Sequence, residues 1–300
     1  MSKFIAIAVA IFLAFAVVRA EGAEPKRIVP AGGSVWTNPV SSPDGKAVAF
    51  TDEFHREIRV YVSGEDSSRR IIRGPSLGSR YVFDSSPDPR LVYRNVIEFM
   101  PQKPERLFSS SIYMFDPINR TSNSEGRIFG PYFIEGQVWY RFALDAPLLN
   151  YDGQLRVAGP RWNREHGRLW VLNEKADTVW SSPTGARMAG AEISPDGRWI
   201  AAVAAEPRTQ LTIVRIEDGL VTDGDSGFAP AWSGDSRWIA YVSRQDNGRV
   251  ELRLLGVPDG ARRVVLSSPH FSPETPTLNH DGTRCVFVSE GALWAMDVNP

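Results

Sequence analysis

Ser194-Pro195-Asp196-Gly197-Arg198-Trp199-Ile200-Ala201-Ala202-Val203 decides the fold, because a tight polar turn delivers the chain directly into an apolar run. Asp suits such a turn by accepting from backbone amides a residue or two further on, and Gly suits it by tolerating positive φ. The arrangement recurs. Ser42-Pro43-Asp44-Gly45 precedes Lys46 to Phe50, and Ser86-Pro87-Asp88-Pro89 precedes Arg90 to Tyr93. Ser233-Gly234-Asp235-Ser236 precedes Trp238 to Val242, and His280-Asp281-Gly282 precedes Cys285 to Val288. One supersecondary unit copied along a chain is the mark of a repeat architecture.

The turn aspartates Asp44, Asp88, Asp196, Asp235 and Asp281 lie 44, 108, 39 and 46 residues apart. The long interval has room for a degenerate third copy, with Val138 to Phe142 and Pro147 to Leu149 as strands about a turn at Asp145. The fifth copy is the most legible: Phe228 to Trp232, Trp238 to Ser243, Val250 to Val257 and Arg262 to Leu266 read as four antiparallel strands. Its second strand is apolar almost throughout, as expected when both faces are covered, whereas Val250 to Leu254 alternates as a half-buried strand does. The expected fold is all-β: a six-bladed β-propeller of four-stranded antiparallel blades. The last copy stops after three strands, and Lys26-Arg27-Ile28-Val29 matches the fourth strands Arg69-Arg70-Ile71-Ile72 and Arg262-Arg263-Val264-Val265. That segment is therefore predicted to complete the last blade and close the ring, removing an exposed edge.

The first twenty residues are a different material. Lys3 is followed by an uninterrupted apolar run from Phe4 to Val18, and Val18-Arg19-Ala20 offers a cleavage point. The pattern predicts a secretory signal peptide over 1–20 and a single propeller domain over 21–300. Fifteen apolar residues are short for a membrane span of about 20, so the mature chain is not expected to cross a membrane. Without residues 1–20 there are 32 basic and 35 acidic residues, a formal charge of −3 that gives nucleic acid no electrostatic footing. Cys285, the single cysteine, has no partner in the chain for a disulfide and reads as a small core hydrophobe.

The Ser-Pro-Asp-Gly-Arg/Lys turn, the apolar strand after it and the closing Leu293-Trp294-Ala295-Met296-Asp297 resemble the WD-like propeller repeats of the TolB family, best over 194–203, 231–242 and 292–298. The resemblance extends over about residues 26–298. It implies a periplasmic propeller that binds partner proteins of the cell envelope. TolB carries an α/β domain ahead of its propeller, whereas the first strand is expected here within a few residues of the cleavage point. Contacts that the family makes through that domain do not transfer.

No nucleophile elbow, zinc-protease helix, phosphate loop or dinucleotide fingerprint occurs, so no catalytic residue, metal site or cofactor is assigned. Gly224-Asp225-Ser226-Gly227 looks like the serine region of trypsin-like proteases, but it falls between repeats, and Phe228 stands where that motif has a second glycine. Function in a propeller is expected at the mouth, where loops between second and third strands meet the blade-to-blade connections. Aromatic and Arg side chains are favoured anchors there. The candidates are Phe99 in a loop over 94–109, Arg161 and Trp162 in a loop over about 158–168, and the connection residues Trp36, Asn38, Arg80, Tyr81, Arg187, His270 and Phe271. The leading expectation is a non-enzymatic module for a protein or cell-envelope component. The alternatives are a metal-dependent hydrolase or lyase drawing on Asn38, Asp52 and Glu192, with Asp52, Glu53, His55 and Glu57 as a further possible ligand run, and a carbohydrate- or small-ligand-binding propeller.

Overall fold

The computed structural model describes residues 23–54, 56–73, 80–83, 88–99, 107–133, 161–165, 168–172, 178–184, 187–206, 209–222 and 225–300. These form strands throughout, without a helix, in separate antiparallel sheets. Strand β1 (Lys26–Val29) belongs to the sixth sheet, described last. The first sheet is β2 (Trp36–Ser41), β3 (Ala47–Asp52), β4 (Glu57–Val62) and β5 (Arg69–Arg73). The second is β6 (Arg80–Phe83), β7 (Leu91–Phe99), β8 (Leu107–Asp116) and β9 (Thr121–Phe133). The third shows β10 (Arg161–Glu165), β11 (Arg168–Leu172) and β12 (Thr178–Ser181). The fourth is β13 (Arg187–Ile193), β14 (Trp199–Glu206), β15 (Gln210–Arg215) and β16 (Val221–Thr222). The fifth is β17 (Phe228–Trp232), β18 (Trp238–Arg244), β19 (Val250–Gly256) and β20 (Arg262–Ser267). In the sixth, β21 (Glu274–Leu278), β22 (Arg284–Ser289) and β23 (Ala292–Asp297) are followed at the far edge by β1. The pairs Lys26 with Ala295 and Arg27 with Trp294 set that antiparallel register.

Why the second strands are apolar is visible in the packing. Along β3, Ala47 and Ala49 pack toward the second sheet, among Tyr81, Leu91 and Phe115, while Val48 and Phe50 pack toward the sixth, among Val286, Val288 and Leu293. Likewise Ile239 and Tyr241 of β18 join Leu211 and Ile213 of the fourth sheet, and the intervening Ala240 joins Cys285 and Phe287 of the sixth. A strand between two sheets buries both parities of its side chains, so alternation disappears. Cys285 is one of these packing residues, and burial pushes its thiol up to about 12.

The recurring turn is a hydrogen-bonded device. Ser42 Oγ donates to Asp44 Oδ1 (2.6 Å) and accepts from Ala47 N (2.9 Å), while Asp44 Oδ1 also accepts from Lys46 N (3.1 Å). The same set recurs about Ser194–Asp196 and Ser233–Asp235. In the sixth sheet Asn279 Oδ1 takes the serine's place, accepting from Arg284 N at 2.9 Å. Ser42, Ser194, Ser233 and Asn279 are buried, so the turn exchanges would-be orphan amides for internal bonds. Gly45 (φ 70°) and Gly197 (φ 71°) supply the left-handed position.

Neighbouring turns also bond to each other: Asp196 N to Ser236 Oγ (3.0 Å), Asp235 N to His280 O (2.8 Å) and His280 N to Pro43 O (3.0 Å). This explains why Gly234 departs from the Ser-Pro-Asp pattern, since a Cβ there would lie 2.6 Å from His280 Nδ1. First strands gather likewise, β13 with β17, β17 with β21, β21 with β2, and β2 with β6. Three of them carry a bulge at a positive-φ residue before proline, Asn38-Pro39, Ala229-Pro230 and Thr275-Pro276.

Two loop expectations are corrected. The segment 94–109 is mostly strand, because β7 and β8 stay paired from Leu91 with Phe115 out to Phe99 with Leu107, which leaves only 100–106 between them. The segment 158–168 is also mostly strand, a hairpin in which Arg161 pairs with Leu172 and Glu165 with Arg168. Backbone pairing satisfies amides that a loop of that length would leave to solvent. The proposed strands at 138–142 and 147–149, and the signal segment at 1–20, lie outside the described residues.

Candidate functional site

In the first, second, fourth and fifth sheets, the turns joining strands one to two and three to four lie at one end. The loops joining strands two to three, and the connections between sheets, lie at the other. At that second end the first and sixth sheets are stitched together. Trp36 N donates to Gly291 O (3.2 Å), and Glu53 N donates to Val35 O (2.9 Å), which brings the β22–β23 turn, the entry to β2 and the β3–β4 loop side by side. Val35 is 43% exposed and Phe54 62% exposed, two apolar residues on adjoining segments of this end.

Arg56 supports this patch. Its guanidinium carbon lies 4.8 Å from the centroid of the Phe54 ring, and its Nε and backbone N donate to the two oxygens of buried Asp52, each at 2.5 Å. Burial pushes the Asp52 carboxyl upward, but the bonds and charge of Arg56 outweigh it and hold the group below the usual carboxylate range. Asp52 is thus an anchor for the loop rather than an open ligand, and Glu57 is shared between Arg59 and Arg70. His55 lies outside the described residues.

Of the ten candidates, the structure brings Trp36, Asn38 and Tyr81 together, but two of them face inward. Trp36 (7% exposed) packs edge-on against Phe50 at 5.1 Å and donates its indole N–H to Pro30 O (2.9 Å). Tyr81 (8% exposed) reaches from the second sheet to donate to Asn38 O at 2.6 Å, and burial pushes its hydroxyl pKa strongly up. Phe271 packs edge-on against Trp294 (4.8 Å) and Phe287 (6.1 Å). Asn38, Arg187 and His270 are exposed. Arg80, Phe99, Arg161 and Trp162 take strand positions in β6, β7 and β10. Sequence reasoning missed Phe54, whose one signal was a lone aromatic in the charged run Asp52-Glu53-Phe54-His55-Arg56-Glu57.

Within the Gly224-Asp225-Ser226-Gly227 motif, the described residues Asp225 and Gly227 have a structural task. Asp225 Oδ2 accepts from the Tyr241 hydroxyl (2.8 Å) and from Arg253 Nη1 (2.5 Å), and Arg253 in turn donates to Glu251. Burial pushes the Asp225 carboxyl up, yet these two donors prevail and keep it below its ordinary value. A Cβ on Gly227 would lie 2.4 Å from the Tyr241 ring, so the glycine lets this connection close over the aromatic side chain. Of the residues considered as metal ligands, Glu192 gives its backbone carbonyl to the Trp232 indole (3.2 Å).

Compared with known proteins, the chain matches no protein-family model and no curated protein. Among solved structures it is similar to the β-propeller domain of Cps50 (Swd1) from Myceliophteria thermophila, with a TM-score of 0.51 and 9% identity over 92% of this chain and 100% of that one. The chain folds as a β-propeller. Its sheets are the blades, and the end bearing Val35 and Phe54 is a mouth of the propeller. TolB from Acinetobacter baumannii aligns with a TM-score of 0.47 and 12% identity over 90% of this chain, which spans 65% of that chain's length. A gluconolactonase from Xanthomonas campestris aligns with a TM-score of 0.47 and 12% identity over 92% of this chain and 89% of that one.

Proposed function

We propose that this protein is a non-enzymatic binding propeller of the periplasm or secreted fraction, closed into six blades by β1, that takes a protein or another cell-envelope component on its mouth. The observation that carries the reading is the exposed Val35–Phe54 pair at the seam of the first and sixth blades, with Arg56 stacked on Phe54. An exposed aromatic backed by Arg has the composition of an interface anchor, and its side chain fills no interior space. The signal-like first twenty residues support export. The commitment of Asp52 to Arg56 and of Asp225 to Tyr241 and Arg253 favours binding over acid–base or metal chemistry at those carboxylates.

The test is cross-linking of mature protein (residues 21–300) in its native envelope fraction, against a Val35→Ser/Phe54→Ser variant of equal thermal stability. A defined partner captured by the wild type and lost in the variant is the expected result. The same proteins captured by both would overturn the proposed surface.

A further inference from the structure

At the opposite end of the propeller from the mouth, a half-open cavity of about 350 Å³ lies where β1 of the last blade meets the β4–β5 turn of the first. Its walls include Lys26, Arg27 and Arg284 on one side and Tyr61, Ser63 and Glu65 on the other. The charges are unbalanced. Glu65 is already held by Arg69 at 2.5 Å, with Arg120 at 4.0 Å, whereas Lys26, Arg27 and Arg284 have no ion-pair partner among the described residues. Exposed Asp66 at the rim offsets only one of those three cations.

Arg284 is the most telling of them. It opens β22, its side chain runs beside the Ser42–Gly45 turn, and its Nε is buried without a hydrogen-bond partner. A buried guanidinium N–H without an acceptor is costly, and the guanidinium that carries it lines the cavity with no carboxylate among the described residues holding it. Asp297, its cross-strand neighbour, forms no ion pair with it.

We infer that this cavity is an anion site for a phosphomonoester, with Arg284, Arg27 and Lys26 gripping the phosphate and Tyr61 and Ile28 flanking a small organic body. Three cations less one rim carboxylate leave two positive charges, which match a dianionic phosphate better than a single carboxylate. Guanidinium groups present paired donors to phosphate oxygens. The volume exceeds that of a bare ion and falls in the range of small-ligand pockets. A phosphate held here would bridge β1 to the first blade, so binding should also stabilise the seam through linkage. The site stands apart from the proposed mouth surface, and neither depends on the other.

The test is calorimetric titration of the mature protein with glycerol 3-phosphate, with acetate as the carboxylate control. Sedimentation with phosphatidic acid vesicles, against phosphatidylcholine vesicles, separates a lipid headgroup from a soluble source. The expected result is saturable binding of glycerol 3-phosphate or selective binding of phosphatidic acid vesicles, with a rise in Tm on adding glycerol 3-phosphate. Arg284→Gln should weaken binding at least tenfold. Lys26→Gln/Arg27→Gln, altering exposed side chains only, serves the same purpose if Arg284→Gln does not fold. Absence of saturable phosphate binding in both arms, equal affinity for acetate, or binding unchanged in the folded variant would overturn the site.

Discussion

The two ends of the propeller are built on different principles. At the turn end, Ser42, Ser194 and Ser233 repeat one hydrogen-bonded geometry, and turns of adjacent blades bond to one another. At the mouth the loops differ from blade to blade, and where the first and sixth blades meet they leave Val35 and Phe54 in solvent. Repetition belongs to the end that specifies the fold, and irregularity to the end available for recognition. Substitutions at the first should act on stability, and substitutions at the second on binding.

The largest effect is expected from deleting residues 24–30. This removes the β1–β23 ladder and buried Val29, and exposes the edge of β23. Loss of two half- to fully buried aliphatic side chains alone amounts to roughly 3 kcal/mol, a fall in Tm on the order of 10 °C by thermal denaturation. An unchanged Tm would place β1 outside the structural unit. Gly227→Ala comes next. Its Cβ would meet the Tyr241 ring and Val242 O, and a cost of about 1–3 kcal/mol is expected from urea unfolding.

Ser233→Ala should cost about 1–3 kcal/mol by leaving the Trp238 amide buried without its acceptor. Ser194→Ala and Ser42→Ala should fall close to it if the three turns are equivalent. A spread wider than the spread among replicate measurements would break the comparison at this end.

A pH series sharpens it further. Asp225 has a folded pKa below its ordinary 3.8, so the stability contributed by its ionised form is complete above that value and is lost as the pH falls through and below it. Asp225→Asn should be less stable than wild type at neutral pH, and the difference should narrow below about pH 4. A constant difference across the series would detach the carboxylate's charge from its role. The smallest stability effect, within about 0.5 kcal/mol, is expected for Phe54→Ser, since surface substitutions away from special features are near neutral.

Much of the turn end was legible in the sequence because its determinants are local. Ser, Asp and Gly at fixed spacing carry their own hydrogen bonds, and the apolar run after them follows from packing between two blades. Even Lys26 to Val29 could be matched to β23, because its Arg-Ile/Val pattern repeats that of other fourth strands. Less of the mouth was legible. Whether Trp36 faces in and Phe54 faces out depends on the seam between the first and sixth blades, which are more than 200 residues apart at Ser41 N and Thr277 Oγ1. The hairpin of β10 and β11 was hidden for another reason. Arg161-Trp162-Asn163-Arg164-Glu165 has the composition of a loop, although just His166 and Gly167 separate it from β11, which carries the apolar Leu169-Trp170-Val171. Pairing with β11, rather than propensity, makes it a strand.

The measurement that tests the account most directly is amide hydrogen exchange on residues 21–300, read across Lys26 to Val29 and Ala292 to Asp297. If β1 closes the propeller, the ladder amides of these two segments should be protected together and lose protection together as urea is added. If 26–29 exchanges at the rate of an unstructured peptide while β23 remains protected, the blades are not closed by this strand and the central claim fails.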